Sequence, residues 1–430
     1  MNRALAPVLA AVAAFAVWAG PFTWFSPWAD PGITDIPVYQ RIAGAMASGQ
    51  VPYRDFDVEY PPLATAIFWL ADHMPFTYEH SFTALMALCM CLTAAGVAAT
   101  AQELGLSRGR QAAAIALVAC APLLLGNVLS TRFDLALAAT LAWMLFAAVT
   151  ERWRLMWSLM TVGILLKLVP LLLIPLLVVW QAHRAGRPAA LRGAAASAGM
   201  AAAIVAPFFI ANPAGTWNIV GYHLDRPPQI ESMASTYMLL LHVLAGVPVQ
   251  IGSSFGSQGL PEHGPAVIAA FGTAAMVALV GAIAFATASG LRRARRGPDA
   301  RLVVAGAAAT IAALLATGKV LSPQFMVWLL PATFLVAGRY GWGAAATGVA
   351  ALVATQLYFP DRYFDLVALN DAPIWILAVR NAILIVLVAM CWPRAAIAAP
   401  PPPAPLVSRG PGAPEVHGPD RALKARYLMD

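Results

Sequence analysis

Residues 155–180 read LMWSLMTVGILLKLVPLLLIPLLVVW, 26 positions in which Lys167 is the single charge and prolines stand at 170 and 175. Basic loops flank the stretch on both sides, ERWR at 151–154 and QAHRAGRPAALRG at 181–193. A helix that crosses a bilayer once puts its flanks on opposite sides, whereas basic flanks favour the cytoplasm. Two full crossings need about 40 residues. A re-entrant or short helical hairpin, with Lys167 and Pro170 near its tip, satisfies both the length and the charges. Irregular backbone at that depth requires a lining of protein.

The same reading extends to the whole chain. Of its 430 residues 60% are hydrophobic and 11% charged, with a mean hydropathy of +0.71. Apolar runs long enough for a spanning helix recur at about 4–24, 81–101, 111–128, 133–149, 194–211, 264–290, 302–317, 323–338, 342–358 and 373–392. With the hairpin they predict an all-α polytopic transmembrane helical bundle of about 10–12 membrane helices; a barrel would show short alternating segments. The first run is read as a retained helix rather than a signal peptide, because many spans follow and no clean cleavage site stands out.

Orientation follows from arginine. LSRGRQ (106–111), the two loops around the hairpin and LRRARRGPDAR (291–301) are assigned to the cytoplasm. With the tail and Arg3, 19 of 27 basic residues then fall inside, and 14 of 20 acids fall outside. Both termini are cytoplasmic on this reading. Residues 1–394 form the membrane domain, and the Pro-rich 395–430 is expected to be a disordered tail. Segment 61–76 is apolar but interrupted, so it is partly inserted or interfacial, and 233–249 stays on the outer side. No internal repeat is visible. Arg outnumbers Lys 24 to 3 and Ala is abundant, as in a GC-rich bacterial genome, which places the chain in a bacterial plasma membrane. The basic loops read as membrane anchors, and no nucleic-acid partner is expected.

Four unusual polar clusters all face out. The first is 34–62, TDIPVYQRIAGAMASGQVPYRDFDVEYPP. Asp35 begins a short helix ending near Gly49, and Tyr39, four residues on, shares its face. Asp35 either caps that helix or serves a site. Asp55, Asp57 and Glu59 alternate, so an extended segment would put them on one side, as a solvated loop or a ligand-binding edge. Tyr60-Pro61-Pro62 rigidly introduces the next apolar segment. The second cluster, LSTRFD (129–134), places Arg132 and Asp134 at a helix start, as a local ion pair, a cap or site groups. The third, GYHLDRPPQIES (221–232), gathers His223, Asp225, Arg226, Gln229 and Glu231. The fourth, TGKVLSPQF (317–325), sets Lys319 beside Ser322 and Gln324. A scarce ammonium at a membrane surface either snorkels or meets an anion such as a phosphate head group. Arg380 lies inside the last span and needs a partner. The histidines lack metal-ligand spacing, and neither a metal nor another cofactor is expected. Cys89, Cys91, Cys120 and Cys391 read as packing residues.

These residues resemble those of GT-C glycosyltransferases, specifically glycosyltransferase family 87. The resembling pieces are Asp35 and Tyr39, then GQVPYRDFDVEYPP (49–62), KLVPLLLIPLL (167–177), DRPPQIES (225–232) and KVLSPQFMVWLLP (319–331). They span most of the membrane domain; the tail after 395 lies outside the match. The resemblance implies a GT-C-type bundle, a polyprenyl-phosphate sugar donor (mannose favoured) and an inverting displacement. The acceptor is a hydroxyl of an envelope glycolipid or polysaccharide. It implies a carboxylate base in the first outer loop, Asp35 by place and Glu59 as second choice. Tyr39, Tyr53, Arg54, Asp55, Asp57, Tyr60, Arg132, Asp134, Lys167, His223, Arg226, Gln229, Glu231, Lys319, Ser322 and Gln324 are the expected substrate contacts. A transporter or flippase is the alternative; it would place polar groups at mid-membrane and often shows inverted repeats. A non-catalytic scaffold would not need scarce acids and cations converging on one side.

Overall fold

The computed structural model describes residues 4–23, 33–261, 263–293 and 299–394. The expected tail lies outside these residues. The described chain is almost wholly helical; its strands are a small hairpin, Gly252–Ser254 paired with Ser257–Gly259. Six helices among the described residues are long and apolar enough to cross a bilayer: Leu5–Phe22, Tyr78–Glu103, Arg187–Ala211, Gly264–Arg293, Ala300–Thr317 and Asp371–Cys391. An all-α bundle of this kind fits a multi-pass membrane protein.

Surface and core follow from composition. Arg187–Ala211 and Gly264–Arg293 leave most of their apolar surface outside, with Ile210 at 81% and Phe271 at 74% exposure. Such stripes suit hydrocarbon better than water. Ala300–Thr317 is mostly buried at the centre. Its alanines let neighbouring backbones close in, which is how helices gain packing energy where lipid is as apolar as leucine. The same logic joins Tyr78–Glu103 to Asp134–Val149: a Cβ on Gly96 would lie 2.9 Å from the Ala142 Cβ.

Several expected spans are broken. Run 111–128 divides into Arg108–Ala119, Ala121–Leu125 and Val128–Thr131, interrupted at Gly126, whose φ is +57°. Run 323–338 is no helical span: it forms 3-10 turns at Pro323–Leu329 and Thr333–Leu335. Pro331 removes a backbone donor just where a helix would continue. Asp134–Val149 and Gly341–Gln356 have 16 residues each.

The hairpin is present. Trp153–Leu166 ends at Lys167, whose backbone is extended, and the chain turns through a 3-10 segment, Val169–Leu173, into Ile174–Ala185. Its two feet meet: Arg184 pairs with Glu151, and Trp157 Nε1 donates to Gln181 Oε1 at 2.6 Å. Residues 61–76 contain the helix Pro62–Asp72, and 233–249 contain Met233–Ala245. The Arg-rich connections lie at helix ends remote from Asp35. There Arg110 donates to the Val336 carbonyl at 2.9 Å and Arg301 to that of Leu104 at 3.1 Å.

Candidate functional site

The opposite end is built from the four polar clusters. Ile36–Ala47 starts after Asp35, yet the Asp35 side chain makes no capping hydrogen bond. Its Oδ2 lies 2.8 Å from Arg132 Nε and 3.3 Å from the Tyr39 hydroxyl. The Asp35 side chain is 32% exposed and that of Arg132 7%. A buried guanidinium therefore holds a carboxylate that solvent or substrate can still reach. Tyr39 stacks on Phe68 at 4.2 Å and also packs against Tyr60, Phe82 and Phe133.

The following loop differs from the extended segment expected. Residues 53–55 form a turn, with Tyr53 at φ +66° and its hydroxyl donating to the Tyr60 carbonyl at 2.6 Å. Arg54 and Asp55 pair with each other at 2.7 Å on the exposed side. Arg54, then the Val51 amide, hold the Asp55 carboxyl down to about 2. Asp57 is exposed; Glu59 is half-buried, next to Tyr60, whose hydroxyl it holds in its protonated form. Asp55 belongs to the turn, so the three acids do not lie in one extended segment. Asn212 anchors the loop, donating to the Tyr53 carbonyl at 2.9 Å. A Cβ on Gly215 would fall 2.0 Å from that same oxygen. Gly215→Ala is therefore expected to cost about 1–3 kcal/mol through a forced backbone shift, read as a lower unfolding midpoint in detergent.

Arg132 and Asp134 do not pair with each other: Arg132 pairs with Asp35, and Asp134 with Lys167. Asp134 is buried and its Oδ1 accepts from Lys167 Nζ and from Trp328 Nε1, both at 2.8 Å. Lys167 Nζ sits 4.7–5.1 Å from the ring centroids of Phe133, Phe325 and Trp328, a favourable seat for a cation. The tip of the hairpin is thereby tied to the second and fourth clusters.

The third and fourth clusters form one unit. The Gln229 amide nitrogen donates to the Lys319 carbonyl at 2.9 Å, and its side chain exchanges hydrogen bonds with Ser322 at 2.8 and 3.0 Å. Gln324 is half-buried on the adjoining 3-10 turn. Lys319 Nζ donates to the Leu224 carbonyl at 2.7 Å, and Arg226 reaches Gln229 Oε1 at 3.4 Å. Neither cation makes an ion pair with a described residue.

Glu231 is fully buried. Its carboxylate accepts from Tyr358 at 2.7 Å and Gln229 at 2.9 Å; Arg380 and Asn381 donate to its backbone carbonyl. Arg380 therefore meets a backbone oxygen and the Tyr358 ring, 5.5 Å away. Burial pushes the Glu231 carboxyl from 4.5 up to about 7, against the pull of Arg380, Tyr358, Arg226 and Gln229. Folded Glu231 so keeps a proton that the unfolded chain has lost, and its contribution to stability declines as pH rises from about 4.5 to about 7. The unfolding midpoint should fall through that window relative to Glu231→Gln and run parallel above it; curves parallel throughout would show an unperturbed group.

Tyr222 and His223 join the two halves. Tyr222 lies in the field of Asp35 and Glu59 as well as of Arg226, and its hydroxyl donates to the Phe255 carbonyl in the β-hairpin turn. Burial, then Lys167, Arg226 and Lys319, hold His223 down to about 4, so it is neutral at neutral pH. The acids Asp35 and Glu59 and the cation Arg226 thus all act on Tyr222, and Lys167, Arg226 and Lys319 act on its neighbour His223. Tyr222, Trp328, Tyr358 and Asn381 were not singled out from sequence. Tyr222 had only its place beside His223 as a signal; the others lie inside apolar runs. Among the described residues no group of three or more His, Cys, Asp or Glu is placed to hold a metal.

No family model matches the chain. No curated protein matches it significantly either.

Proposed function

We propose that this chain is a membrane glycosyltransferase that moves a sugar, mannose favoured, from a polyprenyl-phosphate donor to a hydroxyl of an envelope glycolipid or polysaccharide. The observation that carries the reading is that the carboxylates Asp35 and Glu59 and the cation Arg226 all act on one side chain, Tyr222, with Lys167 and Lys319 acting on its neighbour His223. Lys167 and Arg132 already share their charge with Asp134 and Asp35. Arg226 and Lys319 contact neutral oxygens, and burial disfavours their charged forms. These two are the cations an incoming phosphate would satisfy.

In the proposed reaction Asp35 accepts the proton of the acceptor hydroxyl as that oxygen bonds to the anomeric carbon. The bond from that carbon to the phosphate oxygen breaks, its electrons leave with the polyprenyl phosphate, and the configuration inverts. Arg226 and Lys319 stabilise the departing phosphate. Glu59 is the second candidate base. Neutral His223 and Tyr222 are placed to hydrogen-bond sugar hydroxyls. The lipid tail lies among the helices, and the six long helices with the shorter elements make up a GT-C-type domain of about 10–12 membrane helices. By the arginine distribution both termini face the cytoplasm and the site faces out.

The test uses the full chain in nanodiscs with a panel of polyprenyl-phosphate sugars and a membrane glycolipid extract. Mass spectrometry follows free polyprenyl phosphate and any glycan gaining one sugar. Turnover with one donor supports the reading and names the sugar. Folded protein that neither turns over nor binds any donor lipid overturns it in favour of transport.

A further inference from the structure

A second place in the molecule carries chemistry of its own. At the end remote from Asp35, the last turns of Gly264–Arg293 and the segment Trp392–Arg394 line an open apolar groove of about 460 Å³, a volume within the range of ligand sites. The small side chains of Ala282 and Ala286, with Gly290, leave the space; Phe285 and Trp392 wall it. Arg293 and Arg394 line it and are both exposed. None of the described residues that line it is acidic. Arg394 lies 4.2 Å above the Tyr340 ring, and Arg339 donates to that tyrosine's hydroxyl at 2.7 Å, so a third guanidinium stands close by.

We propose that this groove binds one anionic phospholipid of the cytoplasmic leaflet, an acyl chain in the apolar slot and the phosphate between Arg293 and Arg394. Three physical points select that occupant. The groove lies between helix ends of a chain built for a bilayer, so hydrocarbon is the medium that meets it. The arginine distribution puts this end at the cytoplasmic face, where anionic lipids create a negative surface. Two guanidiniums at an apolar rim match a phosphodiester, whereas a zwitterionic head group brings its own cation to the same place. Trp392 sits at the level where indole rings anchor helices. The site is separate from the proposed sugar-transfer site, and the inference does not depend on that reading.

The experiment is native mass spectrometry of the full chain from detergent, titrated with phosphatidylglycerol and, separately, phosphatidylcholine of the same acyl chains. The wild type is expected to retain one phosphatidylglycerol with at least tenfold preference. Arg293→Gln with Arg394→Gln should lower retention about fivefold per arginine and remove the preference. Ala286→Trp fills the slot and should abolish retention of either lipid, while thermal unfolding reports that each variant is folded. Equal retention of the two lipids by the wild type overturns the proposal without any variant. Unchanged phosphatidylglycerol retention in the folded double arginine variant overturns the assigned site.

Discussion

Asp35→Asn is expected to lower sugar transfer by about 10²–10⁴-fold, the usual worth of a general base. The substitution keeps the shape of the side chain and an oxygen that can accept from Tyr39 and Arg132, so the contacts seen at 2.8 and 3.3 Å persist in weakened form. What disappears is the negative charge and the affinity for a proton. A lost base acts in the transition state, so kcat should drop with KM nearly unchanged. A lost structural contact would instead lower the unfolding midpoint, with turnover following the folded fraction. Arg132→Gln makes the comparison sharper: it leaves the carboxylate in place but unheld, and is expected to reduce turnover by less. Equal turnover of wild type and Asp35→Asn at equal folded protein would remove Asp35 as the base and pass the role to Glu59, tested by Glu59→Gln.

Legibility in the sequence followed the range of the interaction. The 153–185 hairpin could be read because 26 residues with a single charge between two basic loops cannot make two crossings. The helix after Asp35 could be read from its own first turn and from Gly49, which takes φ +87°. The four polar clusters stood out because charge is scarce. Which member of each cluster meets which could not be read. Adjacency offers Asp134 as a partner for Arg132, but the partner of Arg132 is Asp35, and that of Asp134 is Lys167. Pairing across helices leaves no local period in the chain, and no motif marks it. Hydropathy also overlooked Pro331, which is why 323–338 was expected as a span and is two short turns. The site therefore depends on long-range contacts between segments that were each recognisable alone.

Asp134→Leu is expected to destabilise the folded chain by about 3–5 kcal/mol, the usual cost of breaking a buried pair from one side. The Asp134 side chain is 2% exposed and that of Lys167 15%. The variant strands an ammonium among three aromatic rings and takes the acceptor from Trp328 Nε1. Lys167→Met should cost a similar amount by leaving the carboxylate with the indole alone. The double variant replaces two charges by apolar side chains of comparable size, and such exchanges are often neutral. It should therefore recover most of the loss, with a coupling beyond the about 0.5–3 kcal/mol usual for contacting residues. Unfolding in detergent of the four proteins of this cycle measures it, and additive losses would show that the pair carries no such interaction. Because the charges contribute little net stability, their value lies in position. Asp134 joins three segments: the start of its own helix, the hairpin tip at Lys167 and the turn at Trp328. Phe133, next to it, packs on Tyr39 and Tyr60, which border Asp35 and Glu59. A double variant that regains stability should thus still transfer sugar poorly, since the hairpin tip would no longer be tied through Asp134 and Phe133 to the residues beside Asp35 and Glu59.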